Sequence, residues 1–432
     1  MKIPVLLRVL MVTFSVTALT AQNDIDTVYR TDVVKRSTSF ASMTFGAEVL
    51  SVSGAKTTIE NQSFVLHSRQ MPRLTLGGLH FWGHADFYVT FPLGLSLVNG
   101  KDEAKSTSMT ESVETGMKIY PFAIGPNKLR PFVGISFQPF SYKFEKLGTN
   151  YAQGATSYER FITPLQLGLT YASKKYLFTV AARYNWKNKF DYYYTPTQTA
   201  ATTVNPWNFS IGVLRYIDTD RSLATDRAVD QLNKRHYLLK KHHKLSAWYW
   251  AIGPSTALQM SKSPYFEKRL PFLKDNMANS FLMPEISFGR YFHPSDMNIS
   301  ASFRTMQWKL TGFDTKINMS RTSFALEAYK FLFDYHGFVP FFGPSVGVDY
   351  LTFKENGVKS QAVKPALGIV FGWDIRLTQT GSSLLRTNLR YMPGHHLKVN
   401  GEKVMFDHLE FNFIQYVHFI GRNKVYQQYR RK

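Results

Sequence analysis

The 432-residue chain has no cysteine, which excludes a disulfide framework and any metal site built from thiolates. It also has no stretch of 18 or more apolar residues, so we expect no membrane-spanning helix. Phosphate-binding glycine loops, the dinucleotide fingerprint, the HExxH zinc motif and the nucleophile elbow are all missing. We therefore expect no cofactor, no metal site and no enzymatic activity.

The N-terminus has the pattern of a secretory signal peptide. Lys2 and Arg8 precede an apolar run over residues 9–16, and small residues follow as far as Ala21. A basic start, a short apolar core and a small-residue exit are typical of such signals. Residues 1–21 are therefore predicted to be removed during export.

Acidic residues are scarce relative to basic ones. The chain has 52 Lys and Arg against 30 Asp and Glu, which gives a formal net charge of +22. Such an imbalance indicates a polyanionic partner. Because the chain is predicted to be exported, we expect anionic lipid headgroups in this role and no nucleic acid.

Apolar residues alternate strictly with polar ones in many segments. The clearest are 367–377 and 176–186, in which one face is Leu, Ile, Phe, Trp, Tyr or Val and the other carries glycine or charge. A period of two indicates half-buried β-strands. Many of the runs have 10 to 13 residues, whereas ordinary strands have about 5–6 and a membrane-spanning strand has about 9–11. Several of the apolar faces end in Tyr or Trp, as at Tyr176 and Trp186.

The connections between predicted strands alternate in length. Short ones, such as 82–84 and 172–175, are followed by long polar ones, such as 53–70 and 187–205. Transmembrane β-barrels alternate in this way, because one rim has short turns and the other has long loops. A soluble sandwich has no reason to do so.

The two halves of the chain resemble each other at an offset near 210 residues. Residues 71–77 match 283–289, 131–136 match 340–345, and Arg183-Tyr184 falls opposite Arg390-Tyr391. Between them, residues 219–244 are basic and show helical spacing at Val229, Leu232, His236 and Leu239. The predicted organisation is a signal peptide (1–21), a first eight-strand repeat (22–218), a basic, partly helical linker (219–244), a second eight-strand repeat (245–420) and a basic tail (421–432).

Two all-β architectures fit about sixteen strands. In one, all the strands close as a single antiparallel transmembrane barrel, wide enough for an aqueous channel; in the other, each half closes as its own eight-stranded barrel with a filled interior. Glycines on the predicted inner faces, such as Gly168 and Gly372, permit tight curvature and favour narrow barrels. Because single chains of this kind usually form one closed barrel, we favour the single ring.

With these features the mature chain resembles the outer-membrane β-barrel proteins of Gram-negative bacteria, and each half is similar to their small eight-stranded members. The final strand, 409–419, ends on an aromatic residue like the C-terminal insertion signal of that class, although a basic tail follows it here. The resemblance implies a position in the outer membrane and contact with barrel-assembly machinery during insertion. It implies no particular activity and no particular protein partner.

Charged residues on the predicted inner faces are the candidate functional residues, because an Arg or Lys facing lipid at the membrane centre would cost about 2–4 kcal/mol. By strand phase they are Glu114, Lys118, Arg183, Arg304, Glu327, Asp374, Arg376, Arg386 and Arg390. In an open lumen, clustered Arg would favour anions, which predicts a passive porin-like channel. In a closed lumen, the same residues would form ion pairs, which predicts a structural or surface-binding protein. The adjacent pairs His242-His243 and His395-His396 are poor joint metal ligands, since neighbours on a strand point to opposite faces.

Overall fold

The computed structural model describes residues 42–98, 107–144, 156–217, 235–276, 280, 283–334, 338–376 and 381–430. The predicted signal peptide, residues 1–21, lies outside this part of the chain, as do residues 219–234 of the predicted linker, which include Val229 and Leu232. The described residues form antiparallel β-structure almost throughout. None of their helices is long and apolar enough to cross a membrane.

The first half of the chain forms fifteen described strands, of which eight make a closed ring. In chain order the strands are β1 (Ser42–Val52), β2 (Ala55–Ile59), β3 (Gln62–Leu66), β4 (Arg69–His80), β5 (Ala85–Pro92), β6 (Leu97–Val98), β7 (Thr107–Glu111), β8 (Glu114–Ile119), β9 (Lys128–Phe144), β10 (Ser157–Ile162), β11 (Leu165–Ala172), β12 (Tyr176–Tyr184), β13 (Lys189–Tyr193), β14 (Thr199–Val204) and β15 (Trp207–Ile217).

Ring closure in the first half depends on β1, which pairs with strands on both of its sides. Glu48 of β1 lies opposite Arg73 of β4 on one side and Gly212 of β15 on the other. The other neighbours follow in the order β4-β5-β8-β9-β11-β12-β15. The first half is therefore an eight-stranded antiparallel barrel. Beyond one rim, β2, β3, β13 and β14 form a separate four-stranded sheet, and β7 and β10 pair with the protruding end of β9.

The second half forms another eight-stranded barrel with longer strands. Its ten strands are β16 (Ala247–Gln259), β17 (Met283–Phe292), β18 (Met297–Gly312), β19 (Thr315–Phe331), β20 (Phe338–Glu355), β21 (Val358–Ile375), β22 (Ser383–Met392), β23 (His396–Val399), β24 (Glu402–Met405) and β25 (His408–Phe419). The ring runs from β16 through β22 in order and closes when β25 pairs with both β22 and β16. The hairpin β23–β24 stands apart from this ring.

The prediction of an all-β transmembrane barrel is confirmed, but the favoured single ring of sixteen strands is not what the structure has. The alternative arrangement, two tandem eight-stranded barrels, is found instead. The physical reason is the pairing of terminal strands: β1 pairs with β15 of its own half and β16 with β25 of its own half. Alternation within a strand fixes which face is buried, but it does not encode the partner that closes the ring.

The outer surface of each barrel is apolar over the length of a membrane-spanning strand. On β11, β12 and β15 the outward apolar residues are exposed, and Leu167 and Ile211 in the middle of the band expose 56% and 59% of their surface. Aromatic residues lie at both ends of this band, with Tyr171 and Tyr176 near one rim and Tyr184 against Trp207 near the other. Such a surface suits a hydrocarbon environment flanked by two polar interfaces.

The two rims differ as the alternating connection lengths predict. At one rim, here called the short-turn end, β4–β5, β11–β12 and β17–β18 are joined by three or four residues. The opposite rim, the long-loop end, carries the extra sheets, the hairpin β23–β24 and helix α2 (Pro264–Arg269). Some of its hairpins turn through two residues of positive φ, such as Asn356-Gly357, because that conformation matches the twist of paired strands.

Short helices lie at the short-turn end. Helix α1, residues 235–241, includes two residues predicted to be helical, His236 and Leu239. Helix α3 (Arg422–Arg430) follows β25 in the basic tail. Leu239 of α1 packs against Val425 of α3, and the Arg422 guanidinium donates to the carbonyl oxygens of Gly381, Lys244 and Leu245. The tail is thereby attached to the second barrel.

Candidate functional site

The interior of each barrel is the place where the predicted charged residues meet. In both barrels a buried layer of ion pairs lies at mid-height, with a layer of apolar side chains towards each rim. The sequence builds these layers by placing charge on the inward face of central strand positions and aromatic or aliphatic residues on the same face nearer the ends. What the lumen can do depends on how completely these side chains fill it.

In the first barrel, two arginines and two glutamates are joined across the lumen. Arg73 on β4 donates to Glu114 on β8 at 2.6 Å and pairs with Glu48 on β1. Arg183 on β12 donates to the same two carboxylates, at 2.6 Å to Glu114 and 3.1 Å to Glu48. Tyr88 also donates to Glu114, at 2.7 Å. These strands lie on different sides of the ring, so the network spans the lumen.

The second barrel has a larger network of the same kind. Arg390 on β22 donates hydrogen bonds from both terminal nitrogens to the carboxylate of Glu285 on β17, at 2.9 and 2.6 Å. It also donates to Glu327 on β19. The paired fork geometry is the strongest form of arginine–carboxylate contact. Next to it, Arg304 pairs with Glu327 and Glu410, while Arg321 pairs with Glu410 and with Asp349 at 2.6 Å.

A third group of charges in the second barrel lies closer to the short-turn end. Arg386 donates to both carboxylate oxygens of Asp374, at 2.6 and 3.0 Å, and also to the hydroxyls of Tyr249 and Tyr329. Arg376 lies 3.7 Å from Asp374 and over the ring of Phe331. Each carboxylate is thus compensated by a guanidinium, as buried charge requires.

The two networks occupy equivalent positions in their rings. Arg73 and Glu285 lie on the second strand, Glu114 and Glu327 on the fourth, and Arg183 and Arg390 on the seventh. In both barrels an arginine on the seventh strand therefore bonds to a glutamate on the fourth. The two interiors therefore share an arginine–glutamate contact between the seventh and fourth strands, while the charge on the second strand has opposite sign.

The apolar layer at the short-turn end also repeats. Tyr120 and Phe132 pack inside the first barrel with ring centres 5.6 Å apart, and Tyr329 and Phe341 stack inside the second at 4.3 Å. The space for each phenylalanine ring comes from a glycine: a Cβ at Gly168 would lie 2.5 Å from Phe132 Cζ, and one at Gly372 would lie 2.9 Å from Phe341 Cζ. The inner-face glycines thus admit aromatic rings that fill a narrow barrel.

The apolar layer at the long-loop end covers the other side of the ion pairs. In the first barrel it joins Leu50 and Met71 to Tyr142 on the protruding end of β9 and to residues of the extra strands, such as Tyr192. In the second it joins Met306 and Met319 to residues of helix α2 and the hairpin β23–β24. Both lumens are therefore covered at this end by folded segments of the chain.

The structure places the nine predicted residues inside the barrels, in separate groups. Glu114 and Arg183 meet in one network of the first barrel, whereas Lys118 lies in the same lumen and pairs with Asp86 at 3.4 Å. Arg304, Glu327 and Arg390 meet in the second barrel, and Asp374, Arg376 and Arg386 form the group nearer the short-turn end. All are almost completely buried except Arg376, whose side chain is 11% exposed.

The inner faces predicted from the alternation of apolar and polar residues did not include several partners of these nine residues. The missed charges in the networks are Glu48, Arg73, Asp86, Glu111, Glu285, Arg321, Asp349 and Glu410. Arg73 and Glu285 were visible in the sequence as the third residues of the matching segments Met-Pro-Arg and Met-Pro-Glu. Their phase is hard to recognise because Met71 and Leu79 on β4 point inward with Arg73, so that the inner face looks partly apolar.

Within the described ranges no group of three or more His, Asp or Glu could hold a metal ion. No family model and no curated protein matches the chain. Among solved structures, a Neisserial surface protein, NspA, is similar at 16% identity over 40% of this chain and 97% of that one, with a TM-score of 0.28.

Two further solved structures cover more of the chain at lower similarity. An outer membrane channel from Pseudomonas putida F1 has 6% identity over 90% of this chain and 99% of its own, with a TM-score of 0.21. The outer membrane protein OmpT of Vibrio cholerae has 9% identity over 88% and 99%, with a TM-score of 0.17. At these values the fold of the chain rests on its own strand pairing, and its chemistry on its own side chains.

Proposed function

We propose that the protein is an exported outer-membrane protein with closed lumens, which acts through its external surface rather than by conducting solutes. The observation that carries this proposal is the layer of ion pairs that spans each barrel. In an open channel, arginines would line a water-filled wall, whereas Arg73, Arg183, Arg304 and Arg390 are at most 2% exposed and bonded to carboxylates. The porin-like alternative, with its preference for anions, would require these networks to open.

The long-loop end supports a role in surface binding. It carries the four-stranded sheet of the first barrel and the packed helix and hairpin of the second. Leu93, Leu95 and Leu97 lie beyond β5 and expose 45%, 64% and 70% of their surface. Exposed apolar residues grouped in this way are typical of contact surfaces.

The short-turn end supports contact with anionic lipid headgroups. Helix α1 and the residues after it carry Arg235, Lys240, Lys241 and Lys244 beside the basic helix α3. Basic residues next to a membrane surface contribute about 1 kcal/mol each to binding of anionic lipids. We include such lipids, and barrel-assembly machinery during insertion, among the proposed partners.

Conductance is the test of the closed lumen. The purified, folded protein is inserted in a planar bilayer under a salt gradient, and an open porin added to the same bilayer serves as the positive control. We expect no steady conductance before the porin is added. A large, steady and anion-selective conductance from this protein alone would contradict the proposal and restore the channel hypothesis.

Because the native chain has no cysteine, a single introduced thiol can report on which side of the outer membrane a residue lies. Lys398→Cys places a thiol on exposed β23 at the long-loop end, and Lys174→Cys places one in an exposed short turn. In intact cells, a membrane-impermeant maleimide should label the first variant and leave the second unlabelled until the outer membrane is opened. Labelling of neither variant, or the reverse order, would contradict the proposed position.

A further inference from the structure

A serine and a histidine lie within hydrogen-bonding distance on the outer surface of the second barrel. Ser383 Oγ on β22 is 3.1 Å from His418 Nδ1 on β25, and the two residues are direct partners in the pairing of these strands. Tyr416, on the same face of β25, places its hydroxyl 2.7 Å from the same Oγ. A serine hydroxyl within reach of an imidazole is the nucleophile–base pair of many acyl-transfer enzymes. Ser383 and His418 are 35 positions apart in the chain, so their spacing in the sequence does not reveal the pair.

These side chains face away from the lumen and towards the surroundings of the barrel. On β22 the neighbouring residue Leu384 points inward and is buried, so Ser383 points outward. Tyr416 exposes 40% of its surface, and Trp250, the partner of His418 on the next strand, exposes 41%. Ser383 and His418 are themselves half-buried. A molecule that lies against the outside of the barrel can therefore contact both members of the pair.

Two aromatic rings orient the imidazole of His418. The centre of the Trp250 ring lies 5.6 Å from the centre of the imidazole, and the Tyr416 ring stacks on it at 6.3 Å with 20° between the planes. Because Nδ1 is the nitrogen that faces Ser383, the tautomer with its proton on Nε2 leaves Nδ1 free to accept the serine proton. The Ser383 hydroxyl then donates to His418 and accepts from the Tyr416 hydroxyl.

The pair lies at the depth of one membrane interface. Strand β22 begins at Ser383 and β25 ends one residue after His418, both at the short-turn end. Towards the middle of the membrane the next outward residues on the neighbouring strands include Leu385 and Ile252, which are apolar. Trp and Tyr side chains such as those beside the pair gather at the level of the lipid headgroups. The ester bonds of glycerophospholipids lie at this level, between acyl chains and headgroup, and water is present there.

Two cations lie on the short-turn side of the pair. The guanidinium of Arg290 on β17 lies over the ring of Trp248, 5.5 Å from its centre. Lys244 Nζ lies 3.6 Å from the position that a Cβ on Gly421 would take, three residues after His418. Both cationic side chains are exposed. A lipid whose ester bond reaches the pair would therefore place its phosphate next to positive charge.

We propose that Ser383, His418 and Tyr416 form a catalytic site that hydrolyses an acyl ester of glycerophospholipids in the leaflet at the short-turn end. Ser383 Oγ attacks the ester carbonyl carbon while His418 Nδ1 accepts its proton, and Tyr416 donates to the oxyanion that forms. The bond from the carbonyl carbon to the glycerol oxygen then breaks, His418 gives the proton to that oxygen, and the lysophospholipid leaves. Water attacks the acyl-serine with His418 as base, which releases the fatty acid and restores the Ser383 hydroxyl.

This inference rests on the membrane position proposed above and adds an activity to it. It departs from the expectation of no enzymatic activity, which depended on the absence of known catalytic motifs in the sequence. Two β-strands bring the serine and the histidine together, and such a contact is visible only when the pairing of β22 with β25 is known.

Covalent labelling tests the nucleophile. The full chain, folded in detergent micelles, is incubated with a long-chain fluorophosphonate, which reacts with serines that a base activates, and is then weighed by mass spectrometry. We expect one adduct per chain, located on Ser383 by peptide mapping. Ser383→Ala should carry no adduct, and His418→Phe should lower the labelling rate at least tenfold although the serine remains. The matched control, Ser295→Ala in the exposed β17–β18 turn, should be labelled as wild type is. An unlabelled wild type, or an adduct that persists in Ser383→Ala, would overturn the proposal.

Release of fatty acid tests the substrate. The same proteins are added to mixed micelles of nonionic detergent and phosphatidylglycerol, and the products are measured by mass spectrometry. We expect wild type to release fatty acid and lysophospholipid in equal amounts, at least tenfold faster than Ser383→Ala, and to release nothing from the ether-linked analogue. No release from the ester, or release at the same rate by Ser383→Ala, would overturn the proposal. If His418→Phe fails to fold, Tyr416→Phe keeps the stacked ring and should lower kcat with little change in KM, and an unchanged kcat would remove Tyr416 from the mechanism.

A last variant tests where the headgroup lies. Lys244→Gln should raise KM for phosphatidylglycerol and leave kcat unchanged, and an unchanged KM would overturn the placement of the phosphate. Labelling and hydrolysis are both measured in micelles, where no membrane orientation is needed. A failure of either therefore refutes the catalytic site alone, whereas the reverse order of thiol labelling in cells would refute the membrane position proposed above.

Discussion

Arg390→Met is the substitution that most directly probes the interior of the second barrel. Arg390 donates to Glu285 at 2.6 and 2.9 Å and to Glu327 at 3.1 Å, and all three side chains are at most 3% exposed. Methionine has a similar length but no charge, so that two carboxylates lose a buried partner. Removing one member of a buried ion pair costs about 3–5 kcal/mol, and we expect a loss of this size in the free energy of unfolding.

The assay is urea unfolding in phospholipid vesicles, followed by tryptophan fluorescence. The double variant Arg390→Met, Glu285→Gln removes one of the uncompensated charges and should recover at least about 1 kcal/mol of the loss, because neighbouring members of a network are not additive. Lys364→Met on the exposed part of β21 is the control and should change stability by less than about 0.5 kcal/mol. A loss below about 1 kcal/mol for Arg390→Met would refute the reasoning, since it would mean that water replaces the guanidinium, as in an open lumen.

Three further predictions follow from features of the fold. Gly372→Ala should lower the midpoint of thermal unfolding by an amount equivalent to about 1–3 kcal/mol, because its Cβ would lie 2.1 Å from the Thr387 carbonyl oxygen. The control Gly125→Ala, whose Cβ would have no atom nearer than 3.9 Å, should leave the midpoint unchanged. Equal effects of the two substitutions would refute the close packing at Gly372. Burial raises the pKa of Glu159 to about 7, so the folded protein binds this proton more tightly than the unfolded chain and should lose stability as the pH rises from about 4.5 to 7. Glu159→Gln should flatten this part of the stability–pH curve. An unchanged slope would contradict the assignment of this pH dependence to Glu159. Phe338→Ala should weaken the contact between barrels at the short-turn end by removing the ring next to Phe81, measured as faster maleimide labelling of Trp373→Cys in the same background; labelling at an unchanged rate would contradict that contact.

Strand phase predicted much of the fold and of the site, for a physical reason. The hydrocarbon of the membrane disfavours charged side chains, so the position of a charge on a spanning strand shows which face of that strand points into the barrel. Arg183 and Arg390 follow from this rule, and both are buried. The rule fails near the rims, where both faces are apolar: on β16, Trp248 and Trp250 point outward while Tyr249 and Ala251 point inward. Glu48 and Arg73 lie at mid-height but were missed because apolar residues nearer the rim, Leu50 and Met71, share their inner faces.

The number of rings could not be predicted from the same pattern. Every strand has one apolar and one polar face in either architecture, so the alternation does not distinguish one ring of sixteen strands from two rings of eight. The repeat at an offset near 210 residues and the glycines at Gly168 and Gly372 carried the relevant information, because a narrow lumen needs space for Phe132 and Phe341. The single ring was favoured only because single chains of this class usually form one closed barrel.

The opposite charges of Arg73 and Glu285 have a consequence for folding fidelity. Two similar barrels in one chain could exchange equivalent strands during assembly. If β4 replaced β17, Arg73 would face Arg390 without the carboxylate of Glu285. If β17 replaced β4, three glutamates (Glu48, Glu114 and Glu285) would share the single guanidinium of Arg183. Both hybrids would bury uncompensated charge, so this one inversion would disfavour the exchange of these two strands between the barrels.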